Sequence, residues 1–200
     1  MPSPASGLKT RQALLDVAKH YLGEGNSDVS IQQIAKDADV SVGSLYTYFK
    51  DKRELFEAAA ADALMSSVPE MQRIASGMQD PAMGFLAAML HASKRPQFAP
   101  ETSRIILTVG PLGFARFDEY FEAPKAAIQA SIDAGTAHCD DIEAFVIACS
   151  GAYQNLLAHV YVGNASDDLV ERVFWPFAQQ LGYSRTQYQE VVDYVATIDA

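Results

Sequence analysis

The sequence has few cysteines, no excess of positive charge and no long hydrophobic run, and each shortage excludes a class of protein. The two cysteines, Cys139 and Cys149, are too few for a disulfide framework or a cysteine-based metal set. No apolar stretch approaches the roughly 18 residues of a membrane span, and Met1 to Gly7 lack the basic and apolar segments of a signal peptide. We therefore expect a cytoplasmic protein with no membrane partner, in which residues 1–7 form a disordered arm.

The net negative charge comes entirely from one part of the chain. The formal net charge is −10, yet residues 1–55 contain seven Lys or Arg and seven Asp or Glu, whereas residues 56–200 contain eight and 18. This asymmetry predicts two regions with different partners. Because the first region is neutral, nucleic-acid binding there would need well-placed contacts and two copies of the chain.

Helical periodicity accounts for nearly all of the chain, and the strict alternation of a half-buried strand does not stand out anywhere. Residues 8–22 repeat apolar side chains at three- and four-residue spacing, and residues 141–162 carry the longest apolar pattern. Prolines predict a break or a kink at Pro69, Pro124 and Pro176 and the end of a helix near Gly110-Pro111. We predict an all-α protein of about nine or ten helices.

Residues 30–49 combine two short helical patterns with a tight turn between them, which is the layout of a helix-turn-helix. Ser30 and Ser41 are suited to cap the two helices. Leu45 and Phe49 stand four residues apart and are expected on the inner side of the second helix. Gly43 and Ser44 give that helix a low-bulk beginning, which can approach base edges in a major groove about 12 Å wide.

The chain resembles the DNA-binding domain of the TetR family of bacterial transcriptional regulators over residues 10–56, most specifically from Ile34 to Lys52. The matching residues are Arg11, Leu14, Leu15, Ala18, Gly25, Ser30, Ile31, Ile34, Ala35, Ala38, Val40, Ser41, Gly43, Leu45, Tyr46, Tyr48, Phe49, Lys52, Leu55 and Phe56. The resemblance implies a three-helix DNA-binding domain over residues 8–55 and a helical ligand-binding and dimerisation domain over residues 56–200. It also implies a homodimeric repressor that a small apolar effector releases from a palindromic operator, with no cofactor and no enzymatic activity.

Three residues depart from the family pattern. Leu22 stands where the family usually has phenylalanine, and Asp39 stands at a frequent glycine of the inter-helix turn. Aspartate can adopt the left-handed conformation at some cost, so we expect the turn to be preserved. Val42 occupies a place that is often Lys or Arg; a contact between Val42 and a thymine methyl would favour A·T at that position.

The predicted DNA-binding residues are hydroxyl-bearing, small or cationic side chains of the motif and its borders. They are Ser30, Gln32, Ser41, Val42, Gly43, Ser44, Tyr46, Thr47, Tyr48 and Lys52. Alternatives stay open: Tyr46 and Tyr48 can pack their rings, while Lys52 and Gln32 can simply face solvent.

The second region offers candidates for a ligand pocket and a dimer interface. Methionines and aromatic residues can line adaptable apolar pockets but are more often plain core, and polar side chains of the 141–162 helix can supply hydrogen bonds. The predicted ligand-binding residues are Met83, Met89, Phe114, Phe117, Tyr153, Asn155 and His159. Two helices over 141–162 and 167–181 are expected to pair with their symmetry mates; burial within one chain is the alternative. The predicted interface residues are Phe145, Cys149, Ala152, Leu156, Val173 and Phe177.

Other classes of function find less support in the sequence. There is no glycine-rich phosphate loop, no nucleophile elbow and no suggestive carboxylate pair, and the four histidines are scattered. Residues 138–141 contain metal-competent atoms, but adjacent loop positions cannot all face one ion, so we expect no metal site. A helical interaction or scaffold protein that retains the fold is the main alternative, and the neutral charge of residues 1–55 is its best support.

Overall fold

The computed structural model describes residues 4–94, 100–114 and 118–198, with side chains for 7–94, 102–109 and 120–198, and all regular elements in these ranges are α-helices. The helices are α1 (Pro4–Gly23), α2 (Ile31–Asp37), α3 (Val42–Tyr48), α4 (Lys52–Ala75), α5 (Pro81–Lys94), α6 (Pro100–Phe114), α7 (Asp118–Asp133), α8 (Ile142–Tyr161), α9 (Asp167–Gln180) and α10 (Arg185–Ile198). The predicted all-α fold is confirmed. Among the described helices, none combines the length and the hydropathy needed to cross a bilayer.

Three helices extend beyond their predicted ends. α1 begins at Pro4, so residues 4–7, which were expected to form a disordered arm, form its first turn. Proline suits this position because the first N–H groups of a helix have no hydrogen-bond partner within the helix. α4 continues through Pro69, and α6 continues past Gly110-Pro111 to Phe114. In α4 the fully buried Leu64 and Ile74 anchor the helix on both sides of Pro69, which favours continuation over a break.

The chain forms two compact units that differ from the predicted domains of 8–55 and 56–200. Unit 1 contains Met1–Ser66 and Pro100–Phe114, and unit 2 contains Ser67–Ala99 and Ala115–Ala200. α6 joins unit 1 because it packs on α1, where the Thr108 hydroxyl donates to the Leu22 carbonyl at 3.1 Å. α4 supplies residues to both units.

Unit 1 has a core built from one face of each short helix. α1 buries Leu14, Leu15, Ala18 and Leu22, as the three- and four-residue spacing of residues 8–22 predicts. The other buried side chains are those of Ile34, Ala35, Leu45, Phe49, Leu55, Ala59, Ala60, Ala63, Leu64, Ile105 and Ile106, together with Ser103. This core positions α2 and α3.

Unit 2 is organised around α5, which packs against α7, α8, α9 and α10. α5 buries all of its residues except Pro81 and Ala92. Gly84 permits a close approach to backbone: a Cβ added there would lie 2.4 Å from the Ala75 carbonyl oxygen, so any side chain would collide with it.

Asp80 fixes the beginning of α5. Its Oδ1 accepts from the Ala82 and Met83 N–H groups at 3.0 and 3.1 Å, from the Ser131 hydroxyl at 2.8 Å and from the Tyr183 hydroxyl at 2.6 Å. Burial alone would raise the pKa of Asp80, but the hydrogen bonds that it accepts outweigh burial and hold that pKa below its usual range. One carboxylate thus ties α5 to α7 and to the segment before α10.

Candidate functional site

The turn between α2 and α3 is fixed by local hydrogen bonds. Ser30 caps α2 by accepting from the Gln33 N–H at 3.1 Å, and Ser41 caps α3 by accepting from the Ser44 N–H at 3.0 Å. Between the helices Asp39 has φ of 54°, and the Val40 N–H bonds to the Ala35 carbonyl at 2.9 Å. The predicted caps are confirmed, as is the left-handed turn at Asp39.

α3 is held by two buried side chains and presents the rest outward. Leu45 is fully buried and Phe49, the C-cap, is 3% exposed. A Cβ added to Gly43 would meet only the Ser41 hydroxyl at 3.8 Å, and the Thr47 hydroxyl bonds back to the Gly43 carbonyl at 3.2 Å. The outward surface of α3 therefore has low bulk at its beginning and hydroxyl groups along its length.

Nine of the predicted DNA-binding residues lie on the surface of unit 1. Tyr46 is 53% exposed, so about half of its surface is open to a partner. The exposed positions are Ser30, Gln32, Ser41, Gly43, Tyr46 and Thr47, and the half-buried ones are Val42, Ser44 and Tyr48. The helix-turn-helix thus brings these residues onto the two short helices and their caps without burying their polar groups.

Lys52 makes contacts within unit 1 that its residue type and position did not predict. Its ammonium donates to the Ser27 and Val29 carbonyls at 3.0 and 3.2 Å and lies 5.9 Å from the centre of the Phe56 ring. These contacts fasten the loop between α1 and α2 to the beginning of α4. The sequence could not separate this role from phosphate binding, because the carbonyl partners are 23 and 25 residues away.

Lys50 and Arg53 are exposed cations that the sequence-based prediction missed. Lys50 follows Phe49 directly, and Arg53 is the second residue of α4, with its guanidinium 4.0 Å from Glu57. Their position immediately after α3 was the available signal, since side chains that flank a recognition helix commonly contact phosphates. α3 itself has no Lys or Arg.

Unit 2 contains an apolar cavity of about 240 Å³ between α4, α5 and α7. Its lining residues are Val68, Met71, Gln72, Ala75, Phe85, Ala88, Met89, Tyr120, Ala123, Pro124 and Ala127. Of the predicted ligand-binding residues whose side chains the structure describes, Met89 alone belongs to this lining. Met83 and Tyr153 are buried elsewhere in the core, Asn155 and His159 are exposed on α8, and Phe114 and Phe117 lie outside the residues whose side chains are described.

Tyr120 and Gln72 contribute polar groups to a lining that is otherwise apolar among its described residues. Burial raises the pKa of Tyr120, and a hydrogen bond with Ser67 opposes that rise only in part. The side chain is therefore neutral at physiological pH. Burial likewise raises the pKa of Tyr153, which keeps that phenol neutral in the core.

The predicted dimer residues divide into two groups. Phe145, Cys149 and Leu156 are buried within the chain, because the apolar stripe of α8 packs inside unit 2, where Phe145 meets Phe177 edge to face at 5.7 Å. Ala152, Val173 and Phe177 are only half-buried. The exposed residues of α8 are Glu143, Ala144, Ile147, Ala148, Gly151, Asn155, Ala158, His159 and Tyr161, and the C-cap Val162 is exposed as well. Burial therefore assigns three of the six predicted residues to the core of the chain.

Across the described residues, no three His, Cys, Asp or Glu side chains are grouped so that they could hold a metal ion. His138 and Asp140, which the sequence marked as metal-competent, form an exposed pair 3.1 Å apart.

Comparison with known proteins gives a consistent picture for the N-terminal part of the chain. Residues 14–59 match the family model described as bacterial regulatory proteins, tetR family. The chain is 33% identical over 76 residues to the nicotine-responsive transcriptional repressor HdnoR of Paenarthrobacter nicotinovorans, with 38% of this chain and 39% of that protein covered. It is 47% identical over 49 residues to the transcriptional regulator AcrR of Shigella flexneri, with 24% and 23% covered. The chain thus aligns with less than half the length of these two relatives.

Solved structures share the fold over almost the whole chain. The structure of RolR in complex with resorcinol has a TM-score of 0.70 at 18% identity and covers 94% of this chain and 95% of its own. The structure of FadR from Bacillus subtilis in complex with stearoyl-CoA has a TM-score of 0.59 at 16% identity, with 85% and 97% covered. At such low identity the likeness establishes the fold alone.

Proposed function

We propose that the chain is a member of the TetR family of bacterial regulatory proteins, whose model matches residues 14–59, and that it is a sequence-specific transcriptional repressor of the cytoplasm. The observation that carries the proposal is the orientation of α3. Leu45 and Phe49 are buried, whereas Gly43, Tyr46 and Thr47 face outward. A helix that presents small and hydroxyl-bearing residues from a rigid support is suited to enter the major groove.

The exposed residues of the motif divide into base contacts and phosphate contacts. Val42, Ser44 and Thr47 are short enough to approach base edges, and Val42 favours a thymine methyl because it offers no hydrogen bond. Tyr46, Tyr48 and Lys50 are longer and suit phosphate oxygens on either side. With no cation on α3, most of the electrostatic attraction must come from its flanks and from a second copy of the domain.

We infer that the second copy is supplied by a homodimer formed through the outward faces of α8 and α9. The exposed surface of α8 includes the small residues Ala144, Ala148, Gly151 and Ala158, and a Cβ added to Gly151 would meet nothing within 4 Å. Ile147 is 62% exposed there, and the half-buried Val173 and Phe177 extend the apolar surface along α9. Such a two-fold arrangement would place two α3 helices on the half-sites of a palindromic operator.

The cavity of unit 2 is the proposed effector site. RolR binds resorcinol and FadR binds stearoyl-CoA with the same fold, so binding of a small molecule is compatible with it. The mechanism that we propose is that an effector favours a conformation in which the two α3 helices no longer match the spacing of the half-sites. A 100-fold loss of operator affinity requires a preference of only about 2.7 kcal/mol for that conformation.

Footprinting on the promoter DNA that neighbours the gene tests the proposal. We expect two protected half-sites related by a two-fold axis, with centres one helical turn or a multiple of it apart. The variant Tyr46→Ala is expected to lose protection, whereas Met65→Ala, which alters a comparably exposed apolar side chain on α4, is expected to retain it. Protection that survives Tyr46→Ala unchanged, or no protection by the wild-type protein, would favour the scaffold alternative.

A further inference from the structure

The lining of the unit 2 cavity has a composition that restricts what can occupy it. Among its described lining residues none is charged, and only Gln72 and Tyr120 carry polar side-chain atoms. The remaining walls are formed by methionine, phenylalanine, proline, valine and alanine side chains. An ionised ligand group placed against these residues would lose hydration without gaining an ion pair from them, which is unfavourable.

The volume sets the size of the occupant. A protein cavity of about 150 Å³ can hold one benzene ring, and the cavity described here measures about 240 Å³. Scaled in proportion, it accommodates roughly ten non-hydrogen atoms, such as two fused rings. The unbranched side chains of Met71 and Met89 can adjust their rotamers to rings of different outline.

We propose that the cavity takes a neutral, largely apolar compound of about ten non-hydrogen atoms, with at most one or two hydrogen-bonding groups, and that it discriminates against anions and cations of the same shape. The proposal rests on the proposed function only in treating this ligand as the effector that releases DNA. The hydroxyl of Tyr120 and the amide of Gln72 are the groups that orient a polar substituent. Neutral rings pack on Phe85 and on the two methionines.

Calorimetric titration with four naphthalene derivatives tests the chemical class. The probes are 1-naphthol, 1-methylnaphthalene, 1-naphthoate and 1-naphthylmethylammonium, which share one ring system and differ in charge and hydrogen bonding. We expect the two neutral probes to bind within about tenfold of each other, because one hydrogen bond is worth only that much. We expect both ions to bind at least about 30-fold more weakly than 1-naphthol. Equal binding of either ion, or no binding of the neutral probes, would overturn the assignment.

A matched pair of variants on α7 tests the location. Ala127 lines the cavity, whereas its neighbour Ala126 is exposed and outside the lining. Ala127→Phe is expected to fill the space and weaken 1-naphthol binding at least about 30-fold, while Ala126→Phe leaves it within about twofold. Circular dichroism melting of both variants confirms that they are folded. Equal weakening by the two variants, or by neither, would place the probe elsewhere and refute the proposal.

Operator footprints of wild type and the two α7 variants, with and without 1-naphthol, distinguish failure of the proposed ligand class from failure of the proposed function. Binding of 1-naphthol that depends on Ala127 and leaves the footprint intact would support the ligand class and contradict the effector role. If a charged probe abolishes the footprint and still binds to Ala127→Phe, the proposed ligand class is contradicted, whereas the repressor function is supported.

Discussion

α3 and α5 use their residues in opposite ways. α3 buries only Leu45 among its seven residues, whereas α5 leaves only Pro81 and Ala92 outside the buried class. Each helix contains one glycine, and the two glycines differ accordingly: Gly43 is exposed, and Gly84 meets the Ala75 carbonyl. The comparison shows that two buried side chains are enough to hold a short helix, which leaves its other residues available for recognition. A central helix instead uses nearly all of its residues in packing.

The same substitution in both helices gives the largest expected difference. Gly84→Ala places a Cβ 2.4 Å from a backbone oxygen that has no rotamer to change, so we expect it to lower the free energy of unfolding by about 2 kcal/mol. Gly43→Ala has room and improves helix propensity, so we expect the free energy of unfolding to stay equal or to rise by up to about 0.5 kcal/mol. Urea unfolding of both variants measures this, and an undiminished stability of Gly84→Ala would contradict the tight packing of α5.

Asp80→Asn tests how the beginning of α5 is fixed. The amide cannot replace a carboxylate oxygen that accepts from two hydroxyls and two backbone N–H groups, so we expect a loss of about 2 kcal/mol in the free energy of unfolding at pH 7. Asp133→Asn, on an exposed residue that accepts a hydrogen bond from Gln129, is the matched control and should change the free energy of unfolding by less than about 0.5 kcal/mol.

The stability difference between wild type and Asp80→Asn is expected to depend on pH, and the lowered pKa of Asp80 gives the direction of that dependence. The folded-state pKa of Asp80 is lowered, so its contribution is fully present above the unfolded-state value of about 3.9 and is lost as the pH falls through the folded pKa. The difference in stability between wild type and Asp80→Asn should therefore shrink on acidification below about pH 4. A difference that grows instead would mean that the carboxyl group is not stabilised in its ionised form.

The local parts of the motif could be predicted from sequence, whereas the long-range contacts could not. Ser30, Ser41 and Asp39 act through neighbours within five residues, so residue type and spacing were sufficient to place the caps and the turn. The cavity is lined by residues that are as far apart in sequence as Val68 and Ala127. Periodicity within one helix does not predict which distant residues will lie together. The apolar stripe of α8 predicted burial correctly, but a stripe does not reveal whether it packs within one chain or against a second.

Substitutions of Lys52 and Lys50, which follow α3 in the chain, are expected to have smaller effects on the free energy of unfolding. Lys52→Met removes two hydrogen bonds to backbone carbonyls, and we expect the free energy of unfolding to fall by about 1 kcal/mol. Lys50→Met alters an exposed side chain, so stability should change by less than about 0.5 kcal/mol. Operator binding of Lys50→Met should show a salt dependence reduced by about two units in slope, as expected for one lost phosphate contact in each of two half-sites, and an unchanged slope would remove Lys50 from the interface.

Tyr46→Ala carries the smallest expected effect on folding. The side chain is 53% exposed, so its removal should change the free energy of unfolding by less than about 0.5 kcal/mol. A loss above about 1.5 kcal/mol would show that the ring supports the fold, and the footprinting result with this variant would then report on stability instead of recognition.

Hydrogen–deuterium exchange with and without an operator duplex tests most directly whether α3 is the DNA-binding element. We predict that the duplex slows exchange in peptides covering residues 41–50 and leaves peptides covering residues 82–94 unchanged. Unchanged exchange across residues 41–50 in the fully bound protein would contradict the assignment of α3 to the DNA groove.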